Sequence, residues 1–110
     1  MSNDQTAVIR ELNDKLRTQL VGGRLVISAG LSAEGHAKVM KVLLAVMQFN
    51  AFKPENDPYG EHDMGSVNID GEDYNWKIDY YDRDYRYHTP DAADPAMTRR
   101  VLTICQSLEW

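Results

Sequence analysis

One cysteine in 110 residues, Cys105, leaves no partner for an internal disulfide, a usage that fits a reducing cytosol. No apolar run approaches the roughly 20 residues a bilayer-spanning helix needs. The opening Met1-Ser2-Asn3-Asp4-Gln5 has neither the basic nor the apolar stretch of an export signal, so a cytoplasmic protein is expected. Repeats and low-complexity segments are absent. So are the Gly-x-Ser-x-Gly, His-Glu-x-x-His, phosphate-loop and dinucleotide glycine patterns. Basic residues are scarce where acids gather. Between Glu55 and Asp94 there are three of the 12 Lys and Arg, against 12 of the 17 Asp and Glu, a local formal charge of −9 within a total of −5. All six tyrosines and Trp76 fall in the same segment. No basic stripe is present to track a phosphate backbone, which argues against direct nucleic-acid binding.

What remains is ordinary globular material: 43% hydrophobic and 26% charged residues in a length suited to one domain with one modest core. Ile9, Leu12, Leu16 and Leu20 recur every three or four residues and predict a helix over about 5–21. Ser2 with Gln5, or Asp4, would cap its start, and Gly22-Gly23 would end it. Leu25-Val26-Ile27 between glycines predicts a buried strand over about 24–29. Ser32 would cap a helix over about 33–50. Its Val39, Met40, Leu43, Leu44, Val46, Met47 and Phe49 cover most of the circumference and make it central. Residues 52–64, with two prolines, read as an ordered loop.

Alternation then takes over. Val67 and Ile69, the turn signal Asp70-Gly71, and Tyr74, Trp76, Ile78 and Tyr80 predict an antiparallel hairpin over 65–82. Trp76, Ile78 and Tyr80 would face the core, leaving Asp79 and Tyr81 outside. Asp94-Pro95 reads as a helix entry, and Met97, Val101, Ile104 and Leu108 mark one face of a helix over about 95–108. The expected fold is α+β: helix, strand, helix, hairpin, helix, with a three-stranded, mainly antiparallel sheet packed by helices.

Four stretches carry a family likeness. They are Asn56-Asp57-Pro58-Tyr59-Gly60-Glu61-His62-Asp63, Trp76-Lys77-Ile78-Asp79-Tyr80-Tyr81-Asp82, Asp94-Pro95-Ala96 and Arg100-Val101-Leu102-Thr103-Ile104. The chain resembles, from about Ile9 to Ile104, an uncharacterised bacterial family of small proteins known only as a domain of unknown function and found on chromosomes and plasmids. Met64 stands where an aromatic is expected, and Ser28 where threonine is. The resemblance implies a single-domain bacterial protein carried in part on mobile elements. It transfers no catalytic residues.

Two chemistries compete for the acidic segment. Interleaved acids and tyrosines suit a protein contact, because tyrosine supplies rigid amphipathic area and carboxylates steer a cationic partner. The expected contact is Asp79, Tyr81, Asp82, Asp84 and Tyr85, with Glu61 and Asp63 beside them. The partner would be a basic protein surface. Duplex DNA carries one negative charge per roughly 1.7 Å, so rows of carboxylates could compete for the lysines and arginines of a nucleic-acid-handling protein. That describes an inhibitor of anti-restriction or anti-CRISPR type. The alternative is a metal-binding domain or small metal-dependent hydrolase using Glu61, His62, Asp63 and Asp79. Three adjacent ligands converge only in a bent loop. Asp82-Arg83-Asp84 begins like a calcium loop but lacks its glycine and closing glutamate. Cys105, placed beside the stripe of the last expected helix, reads as a small hydrophobe. No cofactor is implied. A third reading is a housekeeping module, monomeric or homodimeric through the first helix.

Overall fold

The computed structural model describes residues 2–110, with side chains from Gln5 onward. The caps expected at Ser2 and Asp4 lie outside the described side chains. Helix α1 (Ser2–Gln19) leads through Gly22-Gly23 into strand β1 (Arg24–Ile27). Two helices follow, α2 (Ala29–Ser32) and α3 (His36–Gln48), then β2 (Met64–Ile69), β3 (Glu72–Tyr81) and β4 (Arg99–Gln106), and a short 3-10 helix (Ser107–Glu109). The helix expected over 33–50 therefore starts later. Ser28, not Ser32, does the capping, its Oγ accepting from Leu31 N of α2. Gly35, at φ +97, breaks the chain before α3. No described helix is long and apolar enough to cross a membrane.

The expected three-stranded, mainly antiparallel sheet is corrected to a four-stranded mixed one, in the order β1-β4-β3-β2. β1 pairs parallel with β4, while β4–β3 and β3–β2 are antiparallel. The helix expected over about 95–108 is the source of the error, because that segment forms β4. Val101-Leu102-Thr103-Ile104-Cys105 is a largely β-branched run. Residues on both faces of β4 are buried, Val101 and Cys105 on one and Leu102 and Ile104 on the other, so buried positions follow one another and period-2 alternation disappears. The helix-like spacing of Val101, Ile104 and Leu108 was coincidental, and Leu108 is 98% exposed. Asp94-Pro95 makes a turn instead of a helix entry, with the Asp94 carboxylate accepting from Ala96 N at 2.9 Å.

All three helices lie on one face of the sheet. Leu16 of α1, Leu31 of α2, and Val42 and Val46 of α3 bury against Tyr74, Trp76 and Ile78 of β3 and Leu102 and Ile104 of β4. Alternation puts Arg24, Val26, Met64, Ser66, Asn75, Lys77, Asp79, Tyr81, Arg99, Val101, Thr103 and Cys105 on the other face. Trp110 crosses that face with its ring 5.3 Å from Lys77 Nζ.

Gly65 sits opposite Trp76 in the β2–β3 register, and the indole occupies the space a side chain would need. A Cβ at Gly65 would stand 2.6 Å from Trp76 Nε1 and 2.7 Å from Cε2. The fully buried indole packs edge-to-face with Phe49 and Phe52, so it has little room to retreat. Gly65→Ala is expected to cost about 1–3 kcal/mol by overpacking, read as a lowered urea midpoint. A neutral result would mean that the indole can shift.

Candidate functional site

The loop from Phe52 to Asp63 is folded by its own polar residues. Asn56 Oδ1 accepts from Lys53 N at 2.8 Å, and its Nδ2 donates to Ala51 O at 3.0 Å. Buried Asp57 accepts from His62 N at 3.0 Å. Gly60, at φ +68, makes the turn, and Arg10 Nε of α1 donates to its carbonyl at 2.6 Å. His62 is itself left-handed, at φ +54. Its ring stacks flat on Phe52 at 3.7 Å, with Nδ1 2.8 Å from Asp14 Oδ1 and Nε2 3.5 Å from Asp57 Oδ2. The histidine therefore ties the loop to α1, turned away from the sheet acids.

Beneath the loop lies a network that sequence reasoning missed. Asn13 is fully buried, and its Nδ2 donates to Glu61 O at 3.0 Å and to Tyr80 Oη at 2.6 Å. Tyr80 in turn donates to Glu61 Oε1 at 2.8 Å. Burial, aided by the Glu61 carboxylate, drives the Tyr80 phenol far above its ordinary range, so it stays a donor. Arg100, 2% exposed, donates from Nε to Asn13 Oδ1 at 2.9 Å and from Nη2 to the Ala92 carbonyl, with its guanidinium over the Tyr80 ring. The available signal was position. Asn13 is four residues after Ile9 and three before Leu16, inside the apolar stripe, where an amide needs buried partners.

Glu61 is thus fixed by Tyr80, and Asp63 extends the β2–β3 ladder by accepting from Ile78 N at 2.7 Å. Asp63 Oδ1 is buried with no hydrogen-bond partner among the described residues. Burial first, then the charges of Glu61, Asp57 and Asp79, raise its carboxyl above the usual range. A carboxyl whose folded pKa is raised holds its proton more tightly when folded, so stability falls as pH climbs from the unfolded value toward the raised one. Asp63→Asn is expected to melt higher than the parent at pH 7, with a flatter dependence of Tm on pH between about 4 and 7. An unchanged slope would mean that Asp63 is not a site of electrostatic strain.

The fold brings Asp63 within range of the charges of Glu61 and Asp79, and Asp79 also meets Lys77 at 3.4 Å. Asp82 turns into its own loop. Its carboxylate accepts from Arg86 N at 3.0 Å and Asp84 N at 3.1 Å, and these bonds hold its pKa below the usual range. Asp84 is exposed in that loop. Tyr81 and Tyr85 approach to 6.4 Å, with Tyr85 beneath the Arg24 guanidinium at 4.4 Å. The alternative ligand set Glu61, His62, Asp63 and Asp79 is split by the turn of His62 toward α1. Among the described residues no group of three His, Cys, Asp or Glu side chains is placed to hold a metal ion. Cys105 lies on β4, buried, and not on a helix.

Comparison with curated proteins and with solved structures finds no match. Residues 27–109 match a family model, and they take in β2 to β4, the Asn56–Asp63 loop and the acids just described. The chain belongs to the family described as "Protein of unknown function (DUF3768)".

Proposed function

We propose that the protein is a non-enzymatic binding protein that takes a basic protein surface against Glu61, Asp63 and Asp79, with Tyr81 beside them. Its target on this reading is a nucleic-acid-handling protein, and the biological form is a bacterial anti-restriction or anti-CRISPR inhibitor. The observation that carries it is the Asp63 carboxylate: half-buried among like charges, with one oxygen lacking a partner. Such a group costs stability in the free protein. A lysine or arginine from a partner, set beside Asp63, Glu61 and Asp79, would relieve the like-charge part of that cost. The rigid setting of Glu61 by Tyr80 adds a preorganised second acceptor.

The contact is a compact acidic one and not a long row of phosphate-like charges, because Asp82 serves its own loop amides and Asp79 has Lys77 nearby. Asp82, Asp84 and Tyr85 then form the rim. The test is protection of incoming DNA. A host carrying a restriction or CRISPR system should plate phage better when it expresses this protein, and the Asp63→Lys, Asp79→Lys double variant should lose that protection while remaining folded. Equal plating with both proteins, or no protection by the parent against any such system, would reject the assignment.

A further inference from the structure

A second charged feature lies at the end of the sheet where β1 and β4 begin. Gly22, Gly23, Arg24, Tyr85, Pro95, Thr98, Arg99 and Arg100 enclose a cleft of about 360 Å³, within the range of small-ligand sites. Three arginines line it in a protein whose net charge is −5, Arg24 and Arg99 from the open face of the sheet and Arg100 with its guanidinium turned to the helix side. Among the described residues none of the three has a carboxylate within ion-pair distance. Arg100, in the cleft wall, donates to neutral acceptors, Asn13 Oδ1 and the Ala92 carbonyl, and the charge it feels is that of Glu61 on the helix side.

The surrounding chain holds this arrangement in place. The Asp82 carboxylate, bonded to the amides of Asp84 and Arg86, closes a turn that puts Tyr85 at φ +59. A left-handed aromatic residue is a costly conformation, and here it lays the ring under Arg24 at 4.4 Å. Stacking holds the plane of a guanidinium and leaves its N–H edges available. Arg99 stands on the same face of the sheet as Arg24, opposite Tyr81 in the β3–β4 register. Gly22 and Gly23 line the wall with backbone alone, which lets a ligand come close. The nearest sheet acid in register is Asp79, two strands from Arg24 with Val101 between them, a separation of roughly 10 Å.

We propose that this cleft is an anion site that takes a phosphate monoester dianion, with Arg24 and Arg99 as its direct ligands and Arg100 as the fixed charge behind them. Forked guanidinium groups match the paired oxygens of phosphate, and a dianion offsets the two charges of Arg24 and Arg99. The site shares Tyr85 with the rim of the proposed protein contact but none of its carboxylates, and the variants at Arg24 and Arg99 leave those carboxylates in place, so either can fail alone.

Calorimetric titration and thermal melts at constant ionic strength test it, with inorganic phosphate and a nucleoside 5′-monophosphate as probes and sodium chloride as control. Both probes should raise Tm beyond the chloride control. Arg24→Gln and Arg99→Gln should each weaken binding tenfold or more, and Arg24→Lys should weaken it less. Equal affinity for the two probes assigns the site to the phosphate group alone, whereas tighter binding of the nucleotide adds a contact to the rest of that ligand. Both side chains are exposed, so the variants should melt like the parent in chloride; if one does not, the other single variant decides. No response to either probe, or the same affinity in both glutamine variants as in the parent, overturns the proposal.

Discussion

Arg17→Met should lower the unfolding free energy by about 3–5 kcal/mol, as expected when a buried, hydrogen-bonded charge is removed and its acceptors are left behind. Arg17 is 3% exposed and reaches from α1 to the end of α3. Its Nη1 donates to Val46 O at 3.1 Å and Phe49 O at 2.7 Å. Val46 O belongs to the last turn of α3, where it also accepts from Phe49 N at 3.2 Å and where a positive charge suits the helix dipole. Nη2 meets Asp14 at 3.2 Å, while the guanidinium lies 5.2 Å from the Phe52 ring and 5.3 Å from the Trp76 ring. Methionine preserves much of the volume between those rings but supplies no donor. Arg17 Nε is buried without a partner among the described residues and offsets part of the gain, so the loss stops short of the sum of its bonds. Urea unfolding decides it: the midpoint should fall at unchanged m-value. A loss under about 1 kcal/mol would mean that water reaches the Val46 and Phe49 carbonyls in the variant. Arg17→Lys should sit between the two, since an ammonium cannot fork across both carbonyls.

Arg17 also shows which parts of the architecture a linear reading could recover. Tyr74, Trp76, Ile78 and Tyr80 alternate because one face of β3 meets helices and the other does not, and one-sided burial leaves a period in the sequence. β4 has no such period. It lies between β1 and β3 with residues buried on both faces, and Val101 to Cys105 becomes a continuous apolar run that also matches helical spacing. A parallel β1–β4 pair joins segments more than 70 residues apart, and nothing local announces it.

The functional surface divides in the same way. Glu61, Asp63 and Asp79 were visible as acids in a segment poor in bases. That His62 would turn to Asp14 depended on a left-handed residue inside the loop. The arginine cleft was invisible to charge counting, because Arg24, Arg99 and Arg100 belong to two distant segments and the window that exposed the acids averages them away. Tyr85 appeared as a contact residue by composition alone; its geometry makes it the support of Arg24.

Asn13→Leu should be comparably damaging, at about 3–5 kcal/mol, because one amide serves three buried groups that cannot replace it. Removing it leaves the Glu61 carbonyl without its Nδ2 donor, the Tyr80 hydroxyl without the amide it accepts from, and Arg100 Nε without an acceptor. The last loss is the heaviest, since Arg100 is a buried cation whose own pKa is already depressed by burial. Leucine fits the apolar stripe of α1 better than asparagine does, so a mere packing role would make the change neutral or stabilising. Substituting Tyr80→Phe alongside separates the two cases. If Asn13 and Tyr80 act as one network, the double variant should lose less than the sum of the single losses, with a coupling of about 1 kcal/mol or more. Additive losses would mean that Asn13 and Tyr80 are independent. The same pair then probes the proposed contact, because Tyr80 holds the Glu61 carboxylate. Tyr80→Phe frees that carboxylate without removing any charge. Its binding defect toward a basic partner should therefore appear with little change in salt dependence, whereas Asp63→Lys should flatten the salt dependence itself.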